Sequence, residues 1–369
     1  MKNGYYLYTE NCGSCGVMNK IKMQIDTFSQ QLIISGVRIN NVSQNFIQRV
    51  INVSIWGSIK RDYASTLQKM KNPDYIYMRL TYADRQLMFF LKNIKTKYPK
   101  CKVIIEIPSF PYDKEWCSSW YTLLLLPKEL LYRKQYKRYI DRFVTYSDDK
   151  SIFGVPTIKT MNGINTKKNV MPGCIKGYNK NEINLVAIAF FTRRHGYERI
   201  IEGLSDYYQN VNKRTVVLHL VGTGEEVIRY KKLVNRFKLE KYVIFHGEKR
   251  DDELECIYEI ADIGLAAFGM YKDGLEKIST IKAREYVAHG IPVALGAADR
   301  LFDDSPFGLL FENNSEKVDI QRIIDYLDLL YIPEGKMEVS KKIRDFAEKN
   351  VDNSVTLRPI IEYIMSEEL

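Results

Sequence analysis

The chain has 369 residues, 45% of them hydrophobic and 27% charged, with a formal net charge of +10. That length exceeds one ordinary core and predicts two domains. No apolar run reaches the roughly 20 residues of a bilayer span, the longest being YTLLLLP at 121–127, and the opening MKNGYYLYTENCGSC has no signal-peptide h-region, so the chain reads as cytosolic.

The positive charge predicts an acidic partner: nucleic acid, an anionic membrane surface or a phosphate-bearing substrate. The lysines are spread rather than blocked and no nucleic-acid motif occurs, which sets nucleic acid aside. Cys12 and Cys15 form a C-x-x-C, but no second C-x-x-C or H-x-x-x-H completes a zinc site, so free thiols in a glycine turn are the reading preferred over metal or redox chemistry.

In chain order, GYYLYT (4–9) predicts a first strand, and a glycine loop carrying Gly13 and Gly16 leads into a helix, VMNKIKMQIDTFSQ. Strand, glycine turn and helix open a nucleotide-binding half, although no Walker P-loop is present. DYIYMRL (74–80) is the next strand, followed by a helix over Asp84–Lys97 and a buried strand, CKVIIEI (101–107). The loop after it, PSFPYDKEW, lies where ligands of α/β sheets sit, and offers Glu106, Tyr112, Asp113 and Glu115 to an acceptor; a rigid structural turn is the alternative. Leucines and tyrosines recur three or four apart among lysines and arginines over Lys128–Arg142, predicting a basic amphipathic helix. It is either a solvated face or an interfacial helix on anionic lipid. DRFVTYS (141–147) is a further strand.

From Asn181 the rhythm is regular. Strands at 183–191, 214–221, 242–246, 263–268, 292–295 and 308–311 alternate with helical patterns, as in a doubly wound sheet. Between them stand T-R-R-H-G (192–196), V-G-T-G-E (221–225), F-H-G-E (245–248) and I-Y-E-I-A-D-I-G-L (257–265). The stretch DGLEKISTIKAREYVAHGIPVAL (273–295) then joins a glycine loop to a helix over Ser279–His289, with Ser279 and Thr280 able to cap its start. Gly290 and Pro292 end it. A helix start of this kind attracts phosphate.

These motifs, with E-Y-x-A-x-G-x-P-V at 285–293 and MNGIN at 161–165 in the place of the family's boundary element, resemble the retaining GT-B glycosyltransferases of the group 1 family, of the bacterial surface-glycan type. The resemblance implies an α/β protein of two Rossmann-like domains facing an interdomain cleft. The expected acceptor domain is 1–180, the donor domain 181–345, and 346–369 is a C-terminal helix that crosses back. It implies that Glu285 hydrogen-bonds the donor ribose. It also implies that Gly16, His195, Gly222, Gly224, Gly247, Ser279 and Thr280 line the donor, and that Tyr112, Asp113 and Glu115 meet the acceptor. The family's arginine and lysine grip the diphosphate; here Arg193 and Arg194 precede His195, which holds the lysine's place. A second family glutamate falls on Lys277, with Glu276 the nearest carboxylate, so Arg193, Arg194 and Glu276 are the catalytic candidates.

No D-x-D occurs, so neither metal nor cofactor is expected beyond the nucleotide-sugar itself. The expected enzyme is a nucleotide-sugar-dependent hexosyltransferase. It would act on a glycan acceptor, a lipid-linked one by its charge, in the cytoplasm at the inner face of the membrane. Two rivals remain: a catalytically silent GT-B partner or chaperone of another transferase, and a nucleotide-sugar epimerase.

Overall fold

The computed structural model describes residues 1–9, 15–54, 57–113, 120–209 and 214–367. Two compact units emerge, one of Met1–Met161 together with Asn353–Leu369, the other of Asn162–Asp352. Each is built on one largely parallel sheet.

The first unit contains β1 (Asn3–Tyr8), β2 (Ile33–Arg38), β3 (Tyr75–Arg79), β4 (Lys102–Glu106), β5 (Arg142–Thr145), β6 (Ser151–Ile152) and β7 (Val155–Lys159), in the order β2-β1-β3-β4-β5-β7-β6. All neighbours pair in parallel except β6 and β7. The central strands are buried along almost their whole length, which follows from apolar residues on both faces. One face packs Ile76, Val103, Ile105 and Phe143 on Leu87, Leu91 and Ile94 of the helix Arg85–Lys97. The other packs Tyr6, Tyr75, Tyr77 and Ile104 on Leu357, Ile360, Ile361 and Ile364. The chain's last described helix, Arg358–Met365, therefore completes the core of the first unit. Lys102 reaches the end of that helix, its Nζ donating at 2.6 Å to the carbonyls of Tyr363 and Ser366. A cation there satisfies carbonyls that have no partner within the helix.

At the C-terminal end of β4, Glu106 is fully buried. Burial opposes its ionisation, but the Lys20 ammonium at 2.6 Å and the Tyr77 hydroxyl at 2.6 Å outweigh burial and pull its pKa down to about 2. Glu106 is thus a structural ion inside the sheet and offers nothing to an acceptor.

The basic helix expected over Lys128–Arg142 is not formed. A helix runs Trp120–Tyr132, the chain tightens into a 3-10 turn over Arg133–Arg138, and β5 starts at Arg142. The turn carries Tyr136 into the core beside Phe143 and Phe153. Lys128 is 1% exposed, donating to the carbonyls of Asn52 and Gly57, and Arg133 is paired with Asp113. These two cations point at the protein, so the basic face is interrupted.

The second unit contains β8 (Glu182–Ile188), β9 (Thr215–Val221), β10 (Val243–Gly247), β11 (Ile263–Leu265), β12 (Val293–Leu295) and β13 (Gly308–Leu310). The order β10-β9-β8-β11-β12-β13 is parallel throughout. The chain winds outward one way from β8 and the other way from β11, which makes the β8/β11 pair the topological switch point. Residues 162–180, read from sequence with the N-terminal half, are held on this unit. Asn162 N–H donates to Ser279 Oγ at 2.7 Å, and Ile164 bridges Asp352.

The same point is fixed by a buried ion pair. Arg284 and Asp299 have fully buried side chains and share two hydrogen bonds; Arg284 also donates to the carbonyls of Asn162 (3.1 Å) and Thr280 (3.2 Å). Removing one partner of such a pair leaves an uncompensated buried charge. Asp299→Ala should lower the unfolding free energy by about 3–5 kcal/mol in urea titrations, and a loss below 1 kcal/mol would show that Arg284 finds water instead.

Candidate functional site

Loops at the C-terminal ends of β8 and β11 flank the switch point of the second unit. Backbone bonds join them: Phe268 N–H donates to the His195 carbonyl at 2.7 Å and Gly269 N–H to the Arg194 carbonyl at 3.0 Å. The approach requires glycine on both sides. Gly196 sits at φ +63°, and a Cβ on it would lie 2.5 Å from Gly269 N, while one on Gly269 would lie 2.6 Å from the Arg193 carbonyl. The T-R-R-H-G motif is therefore a docking turn, and it places two arginines side by side.

Arg193 and Arg194 both hydrogen-bond one carboxylate, Asp273. Asp273 is 3% exposed, whereas the Arg193 and Arg194 side chains are 48% and 30% exposed. Burial alone would raise the Asp273 pKa, but the two guanidinium groups outweigh it and hold the carboxyl below its usual range. One acid thus orients two cations, each of which carries five N–H donors. Lys272 adds a third cation, bonded to Glu198 and, at 3.0 Å, to the Arg193 carbonyl.

His195 points the other way. Its Nδ1 accepts the Thr192 N–H at 3.0 Å and its ring lies near Phe191 and Tyr197, where burial pushes the pKa below the usual range. It is a neutral packing residue here and brings no cation to the loop.

The loop after β11 leads into the helix Ile281–Ala288, whose N-cap is Thr280, its hydroxyl accepting from Ala283 N–H. Ser279 does not cap, because its hydroxyl accepts from Asn162. Tyr286 fixes the rotation of the helix: its hydroxyl donates to the Val186 carbonyl at 3.2 Å and accepts the Ile188 N–H at 2.9 Å, beneath Gly264. With Tyr286 and Arg284 turned inward, Glu285 stands on the remaining side, 23% exposed and ion-paired with Lys282. Glu276 is exposed, and its carboxylate has no partner among the described residues.

Gly222 and Gly224 belong to a loop packed on the carbonyls of Ala189 and Phe191, and the Gly222 N–H donates to Gly247 at 2.6 Å. Their close approach is to the protein's own backbone. Gly247 is open to surrounding space. Gly16 lies on the first unit, in the first turn of the helix Cys15–Phe28, with open space beside it; Gly13 and Cys12 lie outside the described residues.

The first unit holds a cavity of about 460 Å³ at the C-terminal ends of β3 and β4, lined by Arg79, Thr81, Tyr82, Tyr112 and Glu129 among others. Tyr112 is turned inward and donates to Glu129 Oε1 at 2.7 Å, Asp113 is paired with Arg133, and Glu115 lies outside the described residues. Glu129 was not singled out from the sequence, where it belonged to the basic helix expected over Lys128–Arg142. It is 1% exposed, and its Oε2 has no partner among the described residues. Asp273 was also missed; its only sequence signal is an acid in a glycine loop of a domain that carries an arginine pair.

No family model matches the chain, and no curated protein does. Solved structures match it along its whole length. Anabaena HepE in complex with UDP superposes with a TM-score of 0.68 at 12% identity, covering 98% of this chain and 99% of that one. A glycosyltransferase from Rickettsia africae ESF-5 gives 0.64 at 16%, covering 100% of both. Sucrose-phosphate synthase from Thermosynechococcus elongatus gives 0.65 at 13%, covering 98% of each. The likeness establishes the fold, that of the GT-B glycosyltransferases, with two parallel-sheet domains.

Burial raises the Glu129 pKa from 4.5 to about 7, against the lowering effect of Tyr112 and Arg133. Folding then favours the protonated carboxyl, so its contribution is full below about pH 4.5 and is lost as pH rises through about 7. At about 1.4 kcal/mol per pKa unit, thermal unfolding of the parent should lose stability across that window, and Glu129→Gln should flatten the curve. Parallel curves for parent and variant would refute this.

Proposed function

We propose that the chain is a glycosyltransferase that moves a sugar from a nucleotide-sugar to a glycan acceptor, with retention at the anomeric carbon. The observation that carries this reading is the Arg193/Arg194 pair oriented by Asp273 at the switch point of the second unit. Departure of a nucleoside diphosphate concentrates negative charge on phosphate oxygens. Preorganised guanidinium donors stabilise that charge without reorganising. In this reading the arginine pair meets the diphosphate, so no metal is needed for that purpose. The N–H groups of the first turn after Thr280 add to them. Glu285 exchanges Lys282 for ribose hydroxyls, as the resemblance implies. Glu276, exposed and without a partner among the described residues, is the carboxylate assigned to the transferred sugar.

HepE is known in complexes with UDP and UDP-glucose, which makes uridine nucleotides the first donors to test. A further similar structure, at 12% identity and a TM-score of 0.61, is the lipopolysaccharide outer core galactosyltransferase WaaB, which supports a glycan acceptor. The acceptor is assigned to the first unit, with Tyr112 lining the β3/β4 cavity and Asp113 and Glu115 following it in sequence. A lipid-linked glycan at the inner membrane face fits the charge of +10.

One observation favours a second reading. The inward, neutral His195 stands where the family has a lysine, as it would in a catalytically silent partner of another transferase. Turnover of a UDP-sugar by the purified chain decides between the two.

Thermal-shift screening of UDP and UDP-sugars is the direct test, since a ligand at 100 times its Kd stabilises by about 2.7 kcal/mol. Glu285→Ala should weaken nucleoside-diphosphate binding by about 1.5–3 kcal/mol, the range for bonds to a charged group. Arg193→Met and Arg194→Met, made singly, should leave a folded protein in which at least one has depressed turnover. Unchanged binding in the first variant and full activity in both others would sink the assignment.

A further inference from the structure

The helix Phe46–Val53 is amphipathic in the inverted sense. Its N-terminus is secured by a capping box between Asn45 and Gln48, so it is a formed element. Asn52 is buried, while Phe46, Ile47, Val50 and Ile51 are 79%, 67%, 56% and 56% exposed. At 100° per residue those four positions share one side, so the apolar face is the outer one.

Beside it opens a cavity of about 840 Å³, lined by Ile51 together with Lys60, Arg85, Phe89 and Lys92. Arg85, Phe89 and Lys92 fall at i, i+4 and i+7 of the helix Arg85–Lys97 and form one stripe. Phe89 is itself 63% exposed. Among the described residues no Asp or Glu lines the cavity, and the side chains of Lys60, Arg85 and Lys92 carry no ion pair or hydrogen bond.

We propose that this face of the first unit docks on an anionic lipid bilayer, with Phe46, Ile47, Val50 and Ile51 in the interfacial region and Lys60, Arg85 and Lys92 on lipid phosphates. The pairing of an apolar helix side with flanking uncompensated cations is what an interfacial helix requires. A second copy of the chain fits poorly, because a two-fold contact would set like charges against one another with no acid in the lining to offset them. The surface also replaces the Lys128–Arg142 helix, whose Lys128 and Arg133 are engaged inside the protein. It stands independently of the transfer reading, since vesicle binding needs neither donor nor turnover.

Co-sedimentation with phosphatidylcholine vesicles, with and without phosphatidylglycerol, tests it at low and high salt. The parent should sediment with phosphatidylglycerol vesicles at low salt and be released at high salt. Replacing Lys60, Arg85 and Lys92 by Glu together should reduce partitioning by about fivefold or more per cation, the fold-change of roughly 1 kcal/mol each. The triple variant Phe46→Ser, Ile47→Ser, Ile51→Ser should reduce it at least about tenfold, and the single Phe46→Ser, at the most exposed of these positions, should reduce it measurably with an unchanged melting temperature. Charge reversal at Lys134, Lys137 and Arg138 should leave binding intact. The proposal is overturned if the parent stays in the supernatant, or if only the last variant loses binding. It is equally overturned if light scattering shows a dimer that the serine variants dissolve while vesicles bind none of the proteins.

Discussion

The guanidinium of Arg284 is the constraint on which the candidate donor site depends. It sits with no exposed surface against Asp299 and ties three separate segments to one point: the start of the second unit at Asn162, the helix cap at Thr280, and the turn after β12. A buried pair of this kind adds little net stability over an apolar substitute, but it admits only one arrangement of its donors. The helix start and the side presented by Glu285 are thereby held in place. Tyr286, bonded across to β8, supplies the second fixed point. Two adjacent residues pointing inward in different directions leave Glu285 no freedom to rotate away.

Asp273 does for the arginine loop what Asp299 does for the helix, with the exposure reversed. Its carboxylate is buried while the cations it orients remain half in solvent. Screening makes each contact individually modest. The arrangement nonetheless aims charge: two side chains with high rotamer entropy are ordered in the folded protein, so an arriving anion need not order them. The backbone bonds between the Gly196 and Gly269 turns stiffen the same loop, and ligand contact there begins from a preformed geometry.

Much of the second unit was legible from sequence because its strands are short apolar runs ended by glycine, and because sheet burial on both faces writes that pattern directly. The E-Y-x-A-x-G-x-P-V helix was legible for a similar reason, with Gly290 at φ +74° where the cap was expected. What sequence concealed was direction. Arg284 reads as a surface residue on a short amphipathic helix, yet lies inside, because its partner Asp299 is distant in sequence and on another element. Lys128 and Glu129 read as part of a helix with a solvated or lipid-facing side, yet both are buried. β2, the edge strand IISGVR, went unread, since its residues are mostly exposed and interrupted by Ser35 and Gly36, leaving no buried stripe. The inverted helix Phe46–Val53 shows the same limit: its periodicity gives a stripe, and only the tertiary structure tells which way the stripe faces.

The return of residues 353–367 to the first unit has a consequence for how the molecule is made. During synthesis the second unit emerges whole, as one uninterrupted stretch, and can reach its native form while the first still lacks the residues that cover one side of its sheet. Until Leu357, Ile360 and Ile361 arrive, Tyr75, Tyr77 and Ile104 present an apolar surface to the cell. The nascent first unit is therefore a natural client for chaperones. A chain interrupted before Asn353 would hold the complete sheet of the second unit and a first unit lacking one wall of its core.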